Sequence, residues 1–154
     1  MKNVWYYEYP IGCLGIACKN NKIYLIAFKG DKRFIGTEPL ETPIIKETDK
    51  QLSEYFSGKR HEFSVPLDLI GTEFQKKVWN ALISIPYGEK RSYKDIAILV
   101  ENPKGCRAVG MANNRNPVMI IVPCHRIVGA NGDLVGYAGG LSKKQYLLNL
   151  EKKD

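Results

Sequence analysis

Two helix starts built on the same pattern constrain this chain more than anything else in it. Thr72-Glu73-Phe74-Gln75 and Ser92-Tyr93-Lys94-Asp95 each set a hydroxyl residue three positions before a side chain that reaches back to it. Such a box satisfies orphan N–H groups reciprocally and fixes where a helix begins. The first helix runs on through Val78, Trp79, Leu82 and Ile83 and breaks at "IPYGE"; the second is "YKDIAILV". Asn102-Pro103 then offers an N-cap and an N1 proline for a third helix, "KGCRAVGMANN". A short helix, a brief turn and a second helix carrying Arg107 is a helix-turn-helix layout. Any three-helix cluster shares that outline, so both readings stand.

The N-terminal part follows a different pattern. "CLGIAC" and "KIYLIAF" are strand-like runs joined by Asn20-Asn21, a hairpin signal. "TPIIKETDKQLSEYFSG" reads as a helix with Thr42 as N-cap, Pro43 in its first turn and Gly58 as the stop. Ile45, Leu52 and Phe56 share its apolar face. "KRHEFSVPLDLIG" is a loop joining two lobes, and His61 within it receives no role. The expected fold is α/β (α+β): a small N-terminal α/β lobe with antiparallel strands over 1–68, and a helical lobe over 69–154.

Charge divides along the same line. Residues 70–154 hold 13 Lys and Arg against 7 Asp and Glu, while residues 1–69 hold 10 against 9. The excess of the net +7 therefore sits in the C-terminal part, as expected of a lobe that meets a polyanion. No stretch approaches the roughly 18 apolar residues of a membrane span, and "MKNVWYYEYP" has no apolar run behind its charge. A soluble, cytoplasmic monomer with no membrane partner is expected. Cys13, Cys18, Cys106 and Cys124 lack any close C-x-x-C spacing, so reduced thiols and no metal site are expected.

Two segments carry the chemistry. The third helix presents the small residues Gly105, Val109, Gly110 and Ala112, which suit either close approach to a DNA minor groove or tight helix packing. "VMIIVPCHRIVGANG", residues 118–132, reads as a buried strand ending at Pro123 on a thiol, an imidazole and a guanidinium. A thiol needs its proton removed before it becomes a strong nucleophile. His125 is the nearest base, yet adjacent residues of an extended chain point to opposite faces. Either the chain turns sharply at Pro123-Cys124, or a water bridges the two groups. Asn116 is placed to brace such a turn, and Glu151 is the carboxylate available to orient the imidazole. A buried structural cysteine is the plain alternative.

"NPVMIIVPCHRIV", together with "SYKDIA", "RAVGMA", "GYAGGL" and "LLNLE", resembles the O6-alkylguanine-DNA alkyltransferase family. The likeness covers roughly residues 52–151 and is weakest in the N-terminal lobe, for which it implies an RNase H-like fold. It implies a repair protein that binds double-stranded DNA, flips an O6-alkylated guanine and moves the alkyl group once to a cysteine, with O4-alkylthymine an open second substrate. No cofactor is implied. Cys124 would be the acceptor, His125 a water-mediated base, Glu151 its orienting partner and Asn116 the hinge of the turn. Tyr93 would protonate the guanine at N3, and Arg107 would fill the vacated stack. Ser92, Ala108, Gly110 and Arg115 would join Arg107 and Tyr93 on the DNA, while Ile127, Tyr137 and Ala138 would shape the base pocket.

Two other classes compete with this reading. A lesion-recognition protein of the same fold would bind without transfer, and its known form lacks the cysteine. A Cys-His-Glu hydrolase would turn over.

Overall fold

A computed structural model describes residues 1–137 and 139–152. The chain divides into two compact units, Met1–Ile70 and Gly71–Asp154. Among the described residues no helix is long and apolar enough to cross a membrane.

The first unit is a sheet with one helix. Strands β1 (Asn3–Tyr9), β2 (Gly12–Lys19), β3 (Lys22–Phe28) and β4 (Glu38–Pro39) lie in the order β3-β2-β1-β4. The first three pair antiparallel, and β4 adds to β1 in parallel. Asn20 and Asn21 take φ of 52° and 63°, so the expected hairpin turn forms on the residue type that tolerates the left-handed region. β1, for which the sequence reading assigned no strand, alternates too weakly to announce itself: of "NVWYYEY" only Val4 is buried.

Helix α1 (Pro43–Phe56) starts where expected, with the Thr42 side chain accepting from Ile45 N–H. It buries Ile45, Leu52 and Tyr55, and the chain leaves it through Gly58 at φ +79°. The following loop returns to the sheet, since Ile23 N–H donates to Pro66 O and Asp68 N–H to Ile23 O.

The second unit holds α2 (Glu73–Ile83), α3 (Tyr93–Leu99), α4 (Cys106–Asn114) and α5 (Leu141–Leu150). Both expected capping boxes are present, on Thr72 with Gln75 and on Ser92 with Asp95. Two other helix starts differ from expectation. Asn102-Pro103 does not cap α4; the chain makes a turn there, closed by Gly105 N–H donating to Asn102 O, and Gly105 is the N-cap. α5, for which the sequence suggests a start at Ser142, begins one residue earlier at Leu141 after Gly140 at φ +97°.

The helices converge on a core of Val78, Trp79, Leu82, Ile96, Val109 and Leu147. Trp79 Nε1 donates to Ala112 O at 2.9 Å, which ties α2 to α4 through a buried polar contact. Two short parallel strands, β5 (Arg91–Ser92) and β6 (Ile127–Val128), join the start of α3 to the segment just after Cys124.

Candidate active site

Val118–Val122 is a buried turn and not the strand expected from its run of apolar residues. An isolated bridge joins Met119 and Val122, and Ile120 sits at φ +74°. A β-branched residue there stores strain on the order of 1–3 kcal/mol and persists only where its surroundings hold it. Asn116 does the holding. Its Oδ1 accepts from Val118 N–H at 3.0 Å and its Nδ2 donates to Val122 O at 2.7 Å, so one buried side chain closes both ends.

The chain then makes a 3-10 turn over Cys124–Arg126, with Arg126 N–H donating to Pro123 O. The chain therefore turns sharply at Pro123-Cys124, and the opposite-face geometry of an extended chain does not apply there. Cys124 is 6% exposed and His125 fully buried. Burial pushes the thiol's pKa up, against a hydrogen bond from Asn116 and the nearby charge of Lys144, which both act to lower it. The thiol is thus protonated at rest and needs a base.

His125 Nε2 lies 2.6 Å from Glu151 Oε2. Arg126 grips the same carboxylate, Nε to Oε1 at 2.7 Å and Nη2 to Oε2 at 3.1 Å, and its Nη1 donates to Ile85 O. Burial would raise the Glu151 pKa, but the bonds and charges of His125 and Arg126 prevail and hold it at about 2. His125 is pushed below its ordinary value by burial, with Glu151 opposing. Its other ring nitrogen, Nδ1, is buried and has no hydrogen-bond partner among the described residues.

Tyr93, Tyr137 and Lys144 lie near enough to the thiol to feel its charge. Lys144 is fully buried and donates through Nζ to Val135 O at 2.8 Å and Gly136 O at 3.3 Å. Burial lowers its pKa to about 8, with Cys124 acting in the opposite direction. The Tyr93 hydroxyl donates to Val135 O at 3.3 Å, and burial raises its pKa. The Tyr137 hydroxyl is buried without a partner among the described residues, and Ile127 is fully buried. Ala138 lies outside the described residues.

A buried thiol, a buried imidazole and an anchored carboxylate thus sit in one half of the chain, and comparison with known proteins assigns both halves. The family model for the 6-O-methylguanine DNA methyltransferase DNA binding domain matches residues 73–153, and that for the family's ribonuclease-like domain matches residues 4–69. The chain belongs to this methyltransferase family. It is 50% identical to a methylated-DNA–protein-cysteine methyltransferase of Methanosarcina acetivorans over 148 residues, covering 94% of this chain and 95% of that one. A constitutive enzyme of the same name from Bacillus subtilis is 48% identical, with 94% and 92% covered. Among solved structures, a Mycobacterium tuberculosis OGT in complex with DNA superposes with a TM-score of 0.91 at 44% identity, covering 97% of this chain and 92% of that one. The ribonuclease-like and DNA-binding domains of the methyltransferase family are the α/β and helical lobes expected from the sequence.

On the helical lobe of this methyltransferase, Arg107 and Arg115 are exposed at the two ends of α4, while Ser92, Tyr93, Ala108 and Gly110 are half-buried. The small residues of α4 divide between two tasks. Val109 and Ala112 pack inward, whereas a Cβ at Gly110 would stand 3.6 Å from the Tyr93 ring. Three polar groups of the site were not singled out from the sequence: Arg126, Lys144 and Asn113, whose Nδ2 lies 3.5 Å from Cys124 O. A signal for Arg126 was available, since "CHRIV" sets a guanidinium against two β-branched residues, and charges are buried only when paired.

Proposed function

We propose that the chain repairs DNA by direct reversal, moving an alkyl group once from O6-alkylguanine in double-stranded DNA to Cys124. The observation that carries this reading is the buried thiol next in sequence to an imidazole whose Nε2 is held by a carboxylate and whose Nδ1 has no partner among the described residues. A protein that only recognised lesions would have no use for that pairing.

In this reading the damaged base leaves the stack first, at a cost of a few kcal/mol, and Arg107 fills the gap. Water relays the thiol proton to His125 Nδ1. The sulfur then attacks the alkyl carbon; the S–C bond forms as the C–O6 bond breaks, and the electron pair passes into the purine. Tyr93 neutralises that charge by giving its proton to N3, and the imidazolium proton restores the tyrosine through solvent. Neither a metal nor a cofactor enters the step. The thioether is not cleaved, so each molecule acts once, and O4-alkylthymine is a second substrate to be tested.

Incubation with a duplex containing O6-methylguanine should add one methyl group per protein, on the Cys124 peptide and without turnover. An unmodified Cys124 in intact and peptide mass spectra would overturn the proposal. Arg107→Ala should slow repair of the duplex by about tenfold or more, because about 1.4 kcal/mol of lost extrusion energy is a factor of ten. Its reaction with free O6-benzylguanine should be unchanged, and equal losses on both substrates would remove Arg107 from the extrusion step.

A further inference from the structure

We propose that Arg126 is a positioning residue for alkyl transfer: its guanidinium occupies both oxygens of Glu151 and thereby holds His125 neutral, with the proton on Nε2 and the lone pair on Nδ1. The inference rests on the transfer reading above and adds a residue to it.

The geometry leaves little freedom. Arg126 donates to Glu151 Oε1 and Oε2, so the carboxylate is an acceptor at both ends. His125 Nε2 lies 2.6 Å from Oε2 and must therefore be the donor. In a neutral imidazole the other nitrogen is then an acceptor. An imidazolium would instead bury an N–H at Nδ1 where no described residue accepts it, and would set a third positive charge beside Arg126 and Lys144 against the single carboxylate.

Arg126 is fixed by contacts that Glu151 does not supply. Nη1 donates to Ile85 O at 2.8 Å, and the guanidinium lies 5.7 Å from the centre of the Tyr87 ring. The anchor therefore comes from the segment after α2 and reaches His125 through the α5 carboxylate. The charged groups facing His125 are Lys144 from α5, Glu151 at the end of that helix and Arg126 from its own turn; Tyr87 and Tyr137 lie beyond them against Glu151, and Cys124 precedes the ring in the same turn. Of these, Arg126 and Lys144 oppose protonation of the ring and Glu151 favours it.

The test is the ring itself, followed by 15N NMR of histidine-labelled full-length protein. In the unmodified protein His125 should be neutral with its proton on Nε2 at neutral pH. An imidazolium, or a proton on Nδ1, overturns the proposal whether or not any variant folds. Arg126→Met should raise the titration midpoint of His125 by roughly one to three units, the range for loss of a nearby like charge. Arg126→Lys, which restores the charge, should bring the midpoint back down. A purely structural arginine would weaken the fold in Arg126→Met and leave the midpoint where it was. Methyl transfer by the unmodified protein is measured alongside, so failure of the transfer reading shows as an unmodified Cys124 and not as a change at His125.

Discussion

Cys124→Ser should lose alkyl transfer while keeping its affinity for lesion-containing duplex. A serine hydroxyl is a far weaker nucleophile towards an alkyl carbon, and a neutral imidazole does not ionise it. The rate should fall on the order of 10^6, the loss found when a hydrolase loses its nucleophile. Binding should survive because the turn does not depend on the sulfur. Asn116 closes it through Val118 N–H and Val122 O, and the 3-10 turn closes through Pro123 O. Serine is also the smaller residue, so a site that is 6% exposed accepts it without displacement. Peptide mass spectrometry reads the transfer, and titration with a lesion duplex reads the binding. Transfer that persists would move the acceptor to Cys106, which is exposed on α4. Binding lost together with transfer would show that the thiol holds the pocket as well as reacting in it.

What the sequence revealed was local, and what it hid was not. Both capping boxes and the Thr42 cap were legible because a cap is written within four residues. The asparagine pair marked its hairpin for the same reason. The run Val118–Val122 was misread because an apolar run without a period does not say whether it is a strand or a turn. Only the two bonds of Asn116 and the positive φ of Ile120 decide it. Asn102-Pro103 showed the opposite failure, a well-formed cap signal spent on the turn ahead of the helix.

At the site, Cys124 and His125 were legible from adjacency, and Glu151 as the carboxylate within reach. For Arg126 "CHRIV" signalled burial but not the pairing, because its partners Ile85 and Glu151 lie 41 and 25 residues away and no local pattern joins them. The Lys144 contact with the loop carbonyls was hidden for another reason. A lysine in a helix with no marked apolar face reads as solvated until the loop before it folds over its ammonium.

Glu151→Gln should destabilise the protein by about 3–5 kcal/mol at neutral pH, the cost of leaving a buried charge without its partner. Arg126 keeps Ile85 O, the Tyr87 ring and at most one neutral amide oxygen in that variant, while its guanidinium stays out of water with no opposite charge beside it. Replacing Arg126 by methionine in the same molecule should recover part of the loss, since the penalty belongs to the unpaired charge and not to the missing bonds. The same pair predicts how stability changes with acid. Glu151 titrates near 2 in the folded protein against an ordinary 4.5, so its contribution is complete above the unfolded value and disappears as pH falls towards the folded one. A shift of that size corresponds to about 3 kcal/mol. Urea unfolding between neutral pH and about pH 3 should show the unmodified protein losing stability more steeply than Glu151→Gln, which has no carboxylate to protonate there. Parallel losses in the two proteins would mean that other carboxylates govern the acid response and that the Glu151 pairing adds nothing to it.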